Sequence, residues 1–184
     1  QAHAEQVALA STGGISQYLD VDAVLKGILE ARGRLSSEGD GSFQQAIQTT
    51  DAFAKEARTD AAGDVRVAGV CKGAGMIAPD MATMLAFVAT DASVSADELR
   101  AEVAPIAARS FNAVYVDGHS STNDMFVLLA TGAKVATWTS WKDPVGKIAR
   151  RLAWLIARDG EGATKVTTVS VRGASTVEAA RAIA

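Results

Sequence analysis

The stretch that most constrains this chain is Lys72-Gly-Ala-Gly-Met-Ile-Ala-Pro-Asp-Met-Ala-Thr-Met-Leu-Ala-Phe-Val-Ala-Thr90. It opens on a glycine-rich turn, passes through a proline and ends in an apolar run. Gly73 and Gly75 permit backbone angles closed to other residues. Pro79 fixes its own φ and pushes Ala78 toward extended geometry. The run Leu85–Ala89 is short, apolar and bounded by turn signals, so it reads as a buried strand. Thr83 therefore sits where a shaped loop meets a strand, with the small residues Ala78 and Ala82 close by in sequence. By pattern alone this is a loop feeding a core strand.

Composition narrows the class. The chain has 184 residues, 48% of them apolar and 21% charged, enough for a sizeable core. The net charge of −3 gives no reason to expect nucleic acid as a partner. No apolar stretch is long enough to span a bilayer, and no signal-peptide pattern opens the chain. The single cysteine, Cys71, excludes an internal disulfide framework and suits a reducing compartment. His3 and His119 have no ligand-like spacing, so no metal site is expected.

Elements alternate along the chain. Residues 4–10 read as a strand leading to Ser11-Thr-Gly-Gly14. A helix over 21–32 follows, capped by Asp20 or Asp22, with Val21, Val24, Leu25, Ile28 and Leu29 on one face and Gly33 as its stop. The stretch 36–42 is loop by composition. Residues 46–50 read as a short strand, 53–57 as a helical turn and 60–63 as a turn. Alternation predicts a strand over 65–71.

Ser95 with Glu98 forms a capping-box pattern, stapled by Val94 and Leu99, and Leu99, Val103, Ile106 and Ala107 form the buried stripe of the helix it opens. Residues 111–116 read as a strand broken by Asp117-Gly118, and 125–130 as an apolar run closed by Gly132. Residues 133–143, with Trp138 and Trp141, are poorly patterned; the tryptophans suit packing or an assembly surface. Asp143 and Pro144 then start a helix with Val145, Ile148, Leu152, Leu155 and Ile156 inward and Arg150 and Arg151 outward. Residues 158–163 are loop, 166–171 a strand, and Ser175 with Glu178 caps a last helix. The alternation predicts an α/β layered domain, with no internal repeat and no long linker.

The wording of the first stretch carries more than its pattern. Lys72 to Phe87 closely resembles the self-cleavage segment of the glutamate N-acetyltransferase / ornithine acetyltransferase family of arginine biosynthesis. The match is long and contiguous, although the family more often has Asn at the position of Asp80. The resemblance covers nearly all of this chain and corresponds to the middle of chains about twice as long. It implies a single partial acetyltransferase domain, 1–184, with an α-β-β-α sandwich of two sheets between helical layers.

The resemblance further implies that the precursor cuts itself between Ala82 and Thr83. The products would be 1–82, part of an alpha chain, and 83–184, part of a beta chain, with Thr83 as the new N-terminal nucleophile. A threonine hydroxyl needs an adjacent base. Cleavage would free an α-amine on Thr83 itself, which titrates near ~8 in model compounds and can accept the hydroxyl proton. The implied reaction is acetyl transfer from N2-acetylornithine to glutamate through an acetyl-threonine. Some members use acetyl-CoA as a further donor, and nothing here separates the two types. No metal, cofactor or prosthetic group is implied. The expected setting is the cytoplasm, as an alpha2-beta2 heterotetramer.

Residue by residue, the family's oxyanion-hole pair falls on Thr12 and Gly13, a segment that by composition alone reads as a turn before a helix. Backbone and hydroxyl donors of that kind are worth about 3–4 kcal/mol each. Substrate contacts fall on Thr50, Lys72, Thr83 and Glu161. Lysine suits an amino-acid carboxylate. Glu161, framed by Gly160 and Gly162 in Arg158-Asp-Gly-Glu-Gly-Ala-Thr164, suits an ammonium group. Val116-Asp-Gly-His-Ser-Ser-Thr-Asn-Asp124 resembles another family segment, usually with Asp at the position of His119; its polar residues brace or line the site, with no catalytic role assigned. Cys71 reads as a small buried residue. Two rival readings stay open: a self-processing amidohydrolase or aminopeptidase, which typically has serine at the cut, and a non-catalytic partial chain.

Overall fold

A computed structural model describes residues 3–14, 16–36, 41–60, 65–79, 84–135 and 138–184. In chain order these form α1 (Val21–Gly33), α2 (Ser42–Ile47), β1 (Lys55–Asp60), β2 (Arg66–Lys72), β3 (Leu85–Ser93), α3 (Ala96–Ala108), β4 (Met125–Val135), α4 (Trp138–Arg158) and α5 (Val177–Ile183). The four strands make one sheet in the order β1-β2-β3-β4. The first three are antiparallel neighbours, and β4 runs parallel to β3 after the α3 crossover. The fold is mixed α/β.

Strand alternation decides which residues meet the helices. Val67, Gly69 and Cys71 of β2 and Ala86, Val88 and Ala92 of β3 turn to the face covered by α4, where Val145, Ile148, Ala149, Leu152 and Ile156 are buried against them. Gly69 is what lets α4 come so close. A Cβ there would stand 2.9 Å from Leu152 Cδ1 and 3.0 Å from both Ile148 Cγ2 and Val88 Cγ2. Burial pushes the Cys71 thiol up to about 12, so it is an inert core group, as expected. On the opposite face Phe87 meets Phe43 of α2 edge-on, with ring centroids 5.4 Å apart.

Several expectations hold. Asp20 caps α1 by accepting the Ala23 N–H at 2.9 Å, and Ser95 with Glu98 forms the full capping box of α3. The expected strands at 65–71 and 85–89 are β2 and β3. The apolar stripe of α1 is regular but exposed: the helix buries no residue.

Others do not hold. Residues 4–10 are a 3-10 turn at Ala4–Gln6 and then irregular chain, and 166–171 are irregular, exposed as far as residue 170. Neither segment finds a partner among the four paired strands, and without one a β-prone sequence has no ladder to join. The order at 42–60 is reversed: the helix is Ser42–Ile47 and the strand Lys55–Asp60, because β1 is selected by pairing with β2 rather than by local preference. Phe111–Ala113 is a 3-10 turn, not a strand. It puts Phe111 and Val114 on one buried side, and the Ser110 hydroxyl closes the preceding helix onto the Ile106 carbonyl at 2.6 Å.

The strand from Met125 runs past Gly132 to Val135. Thr90 and Ala92 of β3 lie opposite Ala130 and Lys134, and Gly132 takes φ +75° inside this bulge. The last long helix starts at Trp138, so Asp143 is not its cap and Pro144 lies within it; burial of Trp141 extends the helix backward past the proline. The cap of α5 is Thr176, one residue beyond Ser175. Residues 61–63 of the expected turn at 60–63 lie outside the described residues. Among the described residues no helix is long and apolar enough to cross a membrane.

The sheet–helix contact at Gly69 yields a measurable outcome. Gly69→Ala should destabilise the fold by about 1–3 kcal/mol through overpacking. Adding Leu152→Ala should cost less than the sum of the two single changes, because the smaller residue makes room for the new methyl. Urea unfolding of the four species checks this. Strict additivity would show that the contact is not the source of strain.

Candidate functional site

The register places four strand ends in one row: Lys55 opposite Cys71, Lys72 opposite Leu85, and Leu85 opposite Met125. Of the sequence-predicted site residues, Lys72 and Glu161 lie around that row. Cys71 faces α4, so Lys72 turns to the other side of the sheet. It is 2% exposed, and its ammonium donates to the Thr49 hydroxyl at 2.7 Å. Burial holds the Lys72 pKa below the usual lysine range, opposed by the Asp51 carboxylate, assisted by Lys55, and opposed again by Glu161 and Asp124. The lysine thus stands among carboxylates that come from three different segments.

Its surroundings are tied together by a second buried lysine. The Lys55 ammonium donates to Asp51 Oδ1 and to Asp159 Oδ2, both at 2.5 Å. Asp51 also accepts the Gly73 N–H at 2.7 Å and the Thr49 N–H at 3.1 Å, and Asp159 accepts the Ala52 N–H at 3.0 Å. One ion cluster therefore joins the 49–52 loop, the start of β1, the turn after β2 and the end of α4. Burial alone would raise the Asp51 carboxyl; the Gly73 N–H, Lys55 and the Thr49 N–H outweigh it, and the net shift is downward.

Glu161 reaches this cluster because α4 ends beside it. Its N–H donates to the Ala74 carbonyl at 2.8 Å. Its carboxylate lies over Gly75, where a Cβ would come within 2.4 Å of Oε2. A side chain at position 75 would displace the Glu161 carboxylate from this place. The next residue, Met76, has φ +57°, uncommon for a residue with a side chain. Asp117 holds that turn, accepting the Met76 N–H at 2.6 Å and the Ile77 N–H at 3.0 Å. Burial alone would raise the Asp117 carboxyl, and together the N–H groups of His119, Met76 and Ile77 outweigh it and bring it below the usual carboxylate range. Asp124 accepts the Met84 N–H at 2.7 Å; burial raises its pKa against that bond and the Lys72 charge.

Lys72 and Glu161 are thus brought together. Thr50 is exposed beside them, and the hydroxyl on Lys72 belongs to its neighbour Thr49. Thr12 and Gly13 are not brought into the cluster: a Cβ at Gly13 would meet nothing within 4 Å. Ala82 and Thr83 lie outside the described residues, as does Asp80. Met84, the residue after Thr83, sits at the cluster's edge. Thr49, Asp51, Lys55 and Asp159 went unsingled by sequence reasoning, because a lysine four residues after an aspartate in a polar stretch looks like a solvated pair. Asp159 did lie inside the quoted glycine-framed loop. Among the described residues no group of three or more His, Cys, Asp or Glu side chains is placed to hold a metal ion. Chemically, the row offers a buried cation for a carboxylate, an anion for an ammonium, and a held backbone beside Thr83.

A model of the ArgJ family matches residues 1–184. The arginine biosynthesis bifunctional protein ArgJ of Symbiobacterium thermophilum is 44% identical over 188 residues, which cover 96% of this chain and 47% of that protein. The protein of the same name from Thermus thermophilus is 46% identical over 178 residues, covering 96% of this chain and 46% of its own. The chain spans about half the length of the curated relatives it matches. Among solved structures, arginine biosynthesis bifunctional protein argJ from Bacillus halodurans aligns at 41% identity with a TM-score of 0.43, over 45% of this chain and 43% of that one.

The ion cluster makes two predictions. Lys55→Met leaves two buried carboxylates without their cation and should cost about 3–5 kcal/mol in urea unfolding. Asp51, whose folded pKa lies below the unfolded 3.8, contributes stability that is full above about 4 and lost as pH falls through the folded value. Acid titration of unfolding should therefore show a shallower loss for Asp51→Asn than for the parent. Parallel curves would remove Asp51 as an acid-sensitive element.

Proposed function

The chain belongs to the ArgJ family, and from that premise we propose that it carries the nucleophile half of a self-processing acetyltransferase of arginine biosynthesis. The reading has its main support in one observation: Lys72 and Glu161, far apart in sequence, come near enough for the carboxylate to act on the lysine, and Lys72 also acts on Asp124, which holds the residue that follows Thr83. The Thr83 hydroxyl attacks the Ala82 carbonyl, and the acyl group moves from nitrogen to oxygen while the amide nitrogen takes the proton. Water then cleaves the ester, leaving 1–82 with a new carboxylate and 83–184 with a free amine on Thr83.

In turnover that amine takes the proton from the same hydroxyl as oxygen attacks the acetyl carbonyl of N2-acetylornithine. Ornithine leaves with the proton, and an acetyl ester remains on Thr83. The glutamate amine attacks the ester, giving N-acetylglutamate and restoring the hydroxyl. The Lys72 ammonium suits the amino-acid carboxylate, and the Glu161 carboxylate suits a side-chain or α-ammonium. Thr50 is assigned to substrate as well. Thr12 and Gly13 supply the oxyanion donors once the N-terminal segment is docked.

The finer architecture belongs to the same proposal: the sheet's less covered face meets a second sheet in an α-β-β-α sandwich, and the two products of cleavage assemble as an alpha2-beta2 heterotetramer in the cytoplasm. The reaction requires no metal or prosthetic group. Acetyl-CoA is a second donor in the bifunctional form.

The test is intact-mass measurement of the full-length polypeptide, followed by incubation with acetyl-labelled N2-acetylornithine. The expected result is a cut at Ala82–Thr83, label on the fragment beginning at Thr83, and label passing to glutamate. Thr83→Ala should stay whole and take no label. Label passing only to water would make this a hydrolase, and an uncut chain that still transfers acetyl would sink the mechanism. Lys72→Met should raise KM for N2-acetylornithine by about 10–100-fold, the loss of a charge-assisted hydrogen bond.

A further inference from the structure

The loop 116–125 touches the chain on both sides of the proposed scissile bond. Before the bond, Asp117 accepts the Met76 and Ile77 N–H groups, and the Ile77 carbonyl accepts the Val116 N–H at 2.9 Å and the Asp117 N–H at 3.3 Å. After it, Asp124 accepts the Met84 N–H at 2.7 Å, and the Met84 carbonyl accepts the Met125 N–H at 3.0 Å. Residues 78–83, which include Ala82 and Thr83, run between these two holds.

The two holds sit on different kinds of ground. Met76 stays at φ +57° while its own N–H and its neighbour's are fixed by one carboxylate, so Asp117 stabilises a backbone that would otherwise relax. The Met84 hold lies where β3 and β4 begin to pair, Leu85 against Met125, and is continuous with the sheet. Fixing both ends of a short segment reduces the conformers it can sample, which favours an internal attack that needs close alignment. A new chain end frays unless it is tied down. Once the bond is cut, the bonds at Ile77 join the upstream product to its partner fragment and no longer act on the chain that leads into Thr83, whereas those at Met84 lie wholly within the fragment that carries the nucleophile.

We propose that the 116–125 loop is a two-ended positioning bracket, in which Asp117 aligns the upstream segment for self-cleavage alone while Asp124 fixes the backbone next to Thr83 for both self-cleavage and acetyl transfer. The proposal rests on Thr83 being the nucleophile. Both residues act through backbone N–H groups and are positioning residues. Asp124 works by where its oxygen sits. An amide oxygen at the same place can accept the same N–H, and a carboxylate displaced by one methylene cannot.

The experiment uses the full-length polypeptide and two readouts: the rate of cutting by intact mass, and acetyl turnover per cut chain. Asp124→Asn should remain within about threefold of the parent in both. Asp124→Glu and Asp124→Ala should slow both by about 100-fold, the scale of a 1 Å misplacement. Asp117→Ala should slow cutting to a similar degree, yet the molecules that do cut should turn over within about twofold of the parent. Thermal unfolding identifies any variant that fails to fold, and the Asn–Glu comparison stands without the Ala variant. Equal loss in Asp124→Asn and Asp124→Ala, no loss in Asp124→Glu, or a turnover defect in cut Asp117→Ala would each overturn the bracket. A Thr83→Ala chain that still cuts at this bond would instead overturn the nucleophile assignment, which the aspartate variants do not test.

Discussion

The buried Lys55 ammonium organises the end of the sheet where the four strands line up. It sits fully enclosed between Asp51 and Asp159, and each carboxylate also takes backbone N–H groups. A buried charge is tolerated only when its partners are close and saturated. Here that requirement brings three distant pieces of chain to one point: the loop before β1, the turn leaving β2 and the end of α4. Packing of α4 across the sheet sets the distance, and the ion cluster sets the registration.

The rest of the site follows from that registration. With the end of α4 fixed, the next turn carries Glu161 over Gly75, and the N–H of Glu161 reaches the Ala74 carbonyl. With the β2 turn fixed, Lys72 is held under the 49–52 loop, where burial disfavours its charge and the surrounding carboxylates favour it. On the far side, the loop before β4 contributes Asp117 and Asp124, each spent on backbone N–H groups. The segment carrying Thr83 is thus bounded by backbone held from two sides.

Much of this was legible from residue patterns. Capping signals located α1 and α3 because an N-cap is a local interaction between residues three apart. The wording of residues 72–87 pointed to the family, and the glycine frame around Glu161 singled out a carboxylate whose charge acts on Lys72. The failures share a cause. Residues 4–10, 111–116 and 166–171 have strand-like side chains, yet a strand exists only through a neighbour, and none pairs with them here. Lys55 looked like a surface residue because nothing in a single lysine announces that a partner a hundred residues later will bury it.

The sequence by itself determined the caps of α1 and α3, the alternating faces of β2 and β3 and the resemblance around Thr83, since each depends on residues a few positions apart. Only the tertiary structure decided that Lys72 feels the charge of Glu161, that Thr49 rather than Thr50 accepts from the lysine, and that Asp117 and Asp124 hold backbone at opposite ends of one segment. Those contacts join residues from different segments, and they exist only once strand pairing and the packing of α4 have brought those segments together.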